Sequence, residues 1–239
     1  MGRVVTFAQA AADKIGDGIE RAAITKGETR EMAAEFIRVA PGKRWSTTAP
    51  RGSDCYLFML KGAGTISAGN ARHCLAAQTF ATLQEGMDFA VENDGTTPAE
   101  IVKVLAPPQP NGRLAGFTGN INVAERGKTP VHAIPEQKKQ RIYFVGHDGA
   151  KSQRGHAMIV VYEKDTVTGL HHHPNAESMF VVLDGALRFT VNGEQVVVAP
   201  GQSAYFGMND THGLRVADGY EGASFLEFHI PAAYTTVRM

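Results

Sequence analysis

Residues 169–180 read GLHHHPNAESMF. Three consecutive histidines lie in the interior of the sequence, and Glu177 follows four residues after the last of them. An expression tag would sit at a terminus, and both termini are distant. A metal site and a solvated basic tract remain. If Val167 to His173 is a strand, alternate side chains share a face, so His171 and His173 point one way and His172 the other. Downstream, a lone His212 follows a strand and the turn-like GMND. Two imidazoles, a carboxylate and a third imidazole form an N3O set, which suits a divalent first-row metal with one or two positions left open. On this reading His172 faces outward and is dispensable.

The surrounding sequence supports a strand. RIYFVG, HAMIVVYEK, SMFVVLDG, ALRFTVNG, EQVVVAPG, SAYFGM and SFLEFHI follow one another with turn residues between them, as do EFIRVAPG, CYLFMLKGAG, TFATL and AEIVKVLAPP earlier in the chain. Many short strands at regular spacing predict an all-β sandwich or barrel. Only the beginning reads differently. Phe7, Ala11, Ile15, Ile19 and Ala23 recur every fourth residue, the apolar stripe of a short N-terminal helix, although Gly16 and Gly18 weaken it. The segment after Pro110, rich in Gly, Asn, Pro and Lys, reads as a linker laid over a surface.

The chain also repeats itself. YLFMLKGAGTISAGN resembles MFVVLDGALRFTVNG, with Leu60, Gly62 and Ala63 falling on Leu183, Gly185 and Ala186. TFATLQEGMDFAVEN lies over SAYFGMNDTHGLRVAD in the same alignment. Two copies of one β-unit account for both the length and the number of strands.

These residues resemble the motifs of the cupin superfamily. Its first motif is H-x-H, three or four residues, Glu, and a Gly after the next strand; here His171, His173, Glu177 and Gly185 fill it. The second motif is matched by Gly201 and His212, and departs at Gly207, Asn209 and Val216. Asn209 is a mild departure because Asn tolerates the positive φ that Gly supplies. The resemblance implies two jelly-roll β-barrels, and a metal held by His171, His173, Glu177 and His212 in the second. Carried back to the first copy, the four ligand positions become Thr48, Pro50, Asp54 and Phe89, of which only Asp54 can bind a metal. The expected organisation is a helical segment over 1–33, a degenerate barrel without metal ligands over 34–108, a linker over 109–140 and a metal-binding barrel over 141–239. His73 and Cys74 lie away from the ligand slots and read as surface residues.

Composition narrows the partners. Lys+Arg and Asp+Glu are equal at 24 each, so no net field draws nucleic acid or an anionic membrane. Two cysteines, Cys55 and Cys74, are too few for a disulfide framework. No apolar run approaches a membrane span, and a cytoplasmic setting is the expectation. The expected partners are a small-molecule substrate and, through the first barrel, a second copy of the chain in a homodimer.

Within the second barrel, Met179, Val181 and Leu214 share strand parity with ligands and are expected to line the interior. Met158, Tyr162, Tyr205 and Phe206 flank the site, and Tyr162 and Tyr205 are the candidate catalytic hydroxyls. Arg188 and Arg215 are either carboxylate contacts or solvated. In the last strand the apolar face, Leu226, Phe228 and Ile230, is expected to turn inward, which leaves Glu227 and His229 outside. Two function classes follow from the resemblance. One is a metal-dependent enzyme on a small oxygenated molecule, of dioxygenase type with Fe(II) or Mn(II) ahead of Ni, Zn or Cu, with a non-redox isomerase, lyase or hydrolase as the alternative. The other is a metal-stabilised module that binds a small ligand without turnover.

Overall fold

The computed structural model describes residues 3–6, 12–27, 29–108, 114–191 and 193–239. They form four antiparallel sheets arranged as two barrels. In the first barrel a four-stranded sheet (Arg44–Thr48, Asp88–Glu92, Ala63–Ala68, Ala71–Ala76) faces a seven-stranded sheet. The latter runs Ile121–Glu125, Thr79–Leu83, Asp54–Lys61, Ala99–Ala106, Ala33–Val39, Ile19–Ala23, Asp13–Gly16. The second barrel repeats the plan. Its seven-stranded sheet is ordered Arg3–Thr6, Gln202–Phe206, Glu177–Gly185, Gly222–Ile230, His156–Glu163, Lys139–Val145, His132–Ile134. Facing it is a five-stranded sheet of Glu194–Val198, Leu187–Val191, His212–Val216, Val167–His172 and Val237–Arg238. The internal repeat is structural: Asp54–Lys61 and Glu177–Gly185 occupy the same place in their barrels. Gly62 and Gly185, which close them, both have positive φ, and a Cβ at either would meet a backbone oxygen (Pro98 O at 2.6 Å, Gly222 O at 2.2 Å). Only glycine fits there.

The two seven-stranded sheets pack face to face, so each is buried on both sides. Phe36, Phe58 and Phe80 from one meet Phe144, Leu226 and Phe228 from the other. The rings of Phe80 and Phe144 stack at 4.8 Å. This central layer explains several side-chain directions that the sequence predicts the other way. Met179 and Val181 belong to it rather than to the barrel interior. So do Leu226, Phe228 and Ile230, which turns Glu227 and His229 into the second barrel. A strand pattern separates two faces, but it does not say which of two buried layers each face meets.

No N-terminal helix is present among the described residues. Ile15 lies in the strand Asp13–Gly16, while Ile19 and Ala23 bound Ile19–Ala23; Phe7 and Ala11 lie outside the described residues. Asp17-Gly18 joins the two strands, with Gly18 at φ +70°, and Asp-Gly is a strong hairpin signal. Arg3–Thr6 crosses to the other barrel and pairs with Gln202–Phe206. The stretch between the barrels contributes strands to both sheets: Ile121–Glu125 extends the first and His132–Ile134 the second. No helix among the described residues is long and apolar enough to cross a membrane.

Candidate metal centre

The first barrel is filled. Trp45 and Phe89 meet edge to face at 5.5 Å inside it, amid Ile37, Leu57, Ile66 and Val91. Phe89, Thr48 and Pro50 offer no ligand, and Asp54 points to the inter-barrel layer. Its carboxylate accepts hydrogen bonds from Tyr56 Oη (3.0 Å), the Phe117 backbone N–H (3.0 Å) and Ser152 Oγ, and pairs with Arg154 at 3.3 Å. Asp54 is a clasp for the connecting segment. His73 and Cys74 are exposed on Ala71–Ala76, and Cys55 is buried, so neither cysteine is in a disulfide.

The second barrel holds a different interior. Strand alternation places His171 and His173 on its inner side, both buried, with His172 half-exposed. His212 opens the neighbouring strand and pairs directly with His171. The Asn209 turn before it has φ +64°, the conformation expected of an Asn in a glycine slot. Ring centroids of His171 and His212 lie 4.4 Å apart, and His173 lies 5.1 and 5.5 Å from them. One ligand nitrogen from each falls within 4.8 Å of the others.

The three rings are also held in one tautomer. Nδ1 of His171, His173 and His212 lies 2.8, 2.9 and 2.9 Å from the carbonyls of Gly169, Thr235 and Asp210. A carbonyl only accepts, so each Nδ1 carries the proton and each Nε2 keeps its lone pair. Nε2 of His173 and of His212 is buried and has no hydrogen-bond partner. Orphaned acceptors of this kind call for an explanation, and a cation at their common focus supplies one. Burial, opposed only in part by these hydrogen bonds, depresses all three pKa values, to about 4 for His173 and about 3 for His212. Neutral imidazoles with oriented second nitrogens are what a transition metal requires. Phe206 stacks on His212 at 4.2 Å and fixes its plane.

Glu177 is not brought to this cluster. It begins the strand after the Pro174-Asn175 turn and lies, with Met179 and Val181, on the inter-barrel side. Its carboxylate accepts from the backbone N–H groups of Arg30 (2.7 Å), Glu31 (3.1 Å) and Met32 (3.0 Å). Burial raises its pKa despite these bonds and the neighbouring Tyr205 hydroxyl. Tyr205 therefore belongs to the Glu177 clasp, away from the histidines. Glu177 and Asp54, equivalent in the repeat, each hold a segment of chain against the neighbouring sheet.

The inward position next to Glu177 is Ser178, whose Oγ lies 2.9 Å from Nδ1 of His229. Nε2 of His229 is 2.6 Å from Oε1 of the buried Glu227. Burial opposes ionisation of Glu227, but its hydrogen bond to His229 and the nearby Arg141 outweigh it and the pKa is lowered. Tyr234 from the C-terminal tail stacks on His229 at 3.9 Å, and the His229 ring is 4.8 Å from that of His173. Sequence reasoning missed this pair, although the alternation of SFLEFHI places Glu227 and His229 on one face. A cavity of about 610 Å³ opens beside the histidines; Glu227, His229, Tyr234, Tyr162, Met158 and Leu214 are among its walls. Arg188 and Arg215 lie elsewhere and pair with Asp218 at the surface.

A second cluster, His132, His147 and Asp148, is at the surface. There the two imidazoles already bond the two carboxylate oxygens, at 3.0 and 2.9 Å, which holds Asp148 down at about 2. Its ligand atoms are spent on one another.

Against known families, residues 158–229 match the cupin domain model. Residues 158–229 therefore carry a cupin domain, within a chain that folds as two such barrels. The match spans the strands that carry His171, His173 and His212, and the first barrel repeats their fold. Among solved structures, the chain superposes on the protein Ylba from E. coli with a TM-score of 0.76 at 10% identity, covering 96% of this chain and 90% of that one. A Lactobacillus farciminis oxalate decarboxylase in complex with formate gives 0.72 at 14% identity, with 99% and 88% covered. A Bacillus subtilis oxalate decarboxylase with Mn(II) centres gives 0.72 at 14% identity, with 99% and 79% covered. No curated protein matches the sequence.

Proposed function

We propose that the second barrel is the active site of a metal-dependent enzyme that moves a proton on a small oxygenated molecule, as an isomerase, lyase or hydrolase does. The observation that carries this reading is the pairing of two devices on one cavity. Three neutral imidazoles aim their Nε2 atoms at one point, and Glu227 with His229 forms a buried acid–base pair beside them. His171, His173 and His212 are the residues that hold the metal, with Mn(II) or Fe(II) ahead of Ni, Zn and Cu. A metal so bound supplies Lewis acidity toward a substrate oxygen and, if it is redox-active, a place for dioxygen.

The chain's own residues do the rest. With the proton on Nε2, His229 donates to Glu227 and leaves Nδ1 to accept from Ser178. Glu227 stabilises the imidazolium that forms when the pair takes a second proton. Tyr234 holds the ring plane. General acid–base help of this kind contributes about 10²- to 10⁴-fold. His229→Gln and Glu227→Gln are therefore expected to lose at least about 100-fold in turnover with metal content unchanged.

A dioxygenase-type oxidoreductase is the second reading. What supports it is that the three ligands are all imidazoles on one side, which leaves room for a chelating substrate beside dioxygen. The test incubates Mn(II)-, Fe(II)- and Zn(II)-loaded protein in D2O with a panel of hydroxy acids, 2-oxo acids, amides and catechols. NMR follows product formation and deuterium incorporation, and an electrode follows oxygen. Turnover or exchange without oxygen uptake supports the proton-transfer reading. Oxygen consumption with Fe(II) alone transfers the assignment to the dioxygenase. Silence with every metal contradicts both and leaves a non-catalytic binding module.

Metal content follows from the same reading. One divalent transition metal per chain is expected by elemental analysis, because the first barrel is plugged. Two per chain would mean that the His132–His147–Asp148 cluster also binds tightly.

A further inference from the structure

We infer that the cavity beside the histidines is built for a monocarboxylate with a short apolar or aromatic body, anchored by Lys139 and Arg141. This deepens the proposed enzyme reading and rests on the same cavity. Lys139 and Arg141 share one face of Lys139–Val145, the second-barrel strand two places from Gly222–Ile230 in the sheet, and both line the cavity. Lys139 is buried, and Arg141 is partly buried. Among the described residues neither has a carboxylate ion pair.

Lys139 Nζ donates only to the neutral Thr168 hydroxyl, at 2.8 Å, and sits 5.0 Å from the centre of the Tyr162 ring. Arg141 reaches the Tyr143 hydroxyl at a long 3.4 Å, and its buried Nε has no partner. By contrast, the buried Arg154 pairs with Asp54 and Glu85, and Lys103 with Glu35. With the neighbouring Glu227 hydrogen-bonded to His229, Lys139 and Arg141 repel each other and forgo their hydration, a cost that an anion between them offsets.

The charge balance sets the anion's valence. Glu227 is the one carboxylate on the buried part of the wall and is committed to His229; Glu136 and Asp165 are exposed at the rim. At the rim Lys138 and Arg238 offset Glu136 and Asp165, so Lys139 and Arg141 against Glu227 leave a single positive charge, which matches a monoanion better than a phosphate dianion. A guanidinium and an ammonium offer parallel N–H donors to the two oxygens of one carboxylate. Met158, Val160, Phe180 and Leu214 on the same wall are apolar, so the part of the substrate between its carboxylate and its reacting oxygen is hydrocarbon. Tyr162, expected from sequence as a catalytic hydroxyl, instead braces this anchor through Thr168.

The test is calorimetric titration of the metal-free full chain with matched acid and amide pairs: salicylate against salicylamide, and phenylacetate against phenylacetamide, with inorganic phosphate as the competing anion. Each acid is expected to bind at least about tenfold more tightly than its amide. Lys139→Gln and Arg141→Gln are each expected to erase about tenfold of that preference while metal content stays at the parent value. Equal binding of acid and amide, no acid binding at millimolar concentration, phosphate binding more tightly than either acid, or unchanged preference in both variants would each overturn the anchor. Melting temperatures check that the variants fold; if one does not, the acid–amide comparison on the parent protein decides. Acid binding without turnover by any metal would remove the catalytic reading and leave the anchor. Turnover of amides as fast as acids would do the reverse.

Discussion

Glu177→Ala is expected to lower the unfolding free energy on the order of 3 kcal/mol and to leave metal content unchanged. The carboxylate is buried and accepts three backbone N–H groups from Arg30, Glu31 and Met32. Removing it strands those donors in the layer between the barrels, where an unsatisfied group costs about 1–3 kcal/mol. Glu177→Gln keeps one acceptor oxygen of similar shape and is expected to lose about half as much. Urea denaturation with elemental analysis of the same samples checks both halves. Loss of metal with little loss of stability would return Glu177 to the ligand set.

His173→Ala and His212→Ala are expected to weaken metal binding by more than about 100-fold, since loss of a mere outer-shell partner already costs 10- to 100-fold. His172→Ala, on the opposite side of the same strand, is expected to change it by less than about twofold. Competition with a fluorescent chelator measures all three. A large effect at His172 would mean that the strand is read one residue out of register, since a shift of one exchanges its two faces.

The histidine cluster was legible in the sequence partly through local strand geometry and partly through the cupin motifs. His171 and His173 fall together because two residues apart on a strand share a face, and His212 joins them through its match to the second cupin motif. Through the repeat, Thr48, Pro50 and Phe89 fall on the ligand positions of the first barrel. Glu177 was not legible, because the Pro174-Asn175 turn interrupts the strand and resets which parity faces inward. Glu227 and His229 were not, because the apolar face of SFLEFHI packs between the barrels rather than inside one. The Lys139 and Arg141 anchor lies in the segment around the expected linker boundary, where composition suggests surface. At the N-terminus the four-residue recurrence of Ile15, Ile19 and Ala23 competes with the Asp17-Gly18 hairpin signal, and the hairpin prevails.

On the proposed reading three imidazoles, and not Glu177, hold the metal. Anomalous diffraction from crystals grown with Mn(II), recorded above and below an absorption edge, tests it most directly. One strong peak per chain is expected within bonding reach of Nε2 of His171, His173 and His212, with the Glu177 carboxylate still on the backbone of Arg30 to Met32. A peak bonded to Glu177, or one only at His132, His147 and Asp148, would contradict it.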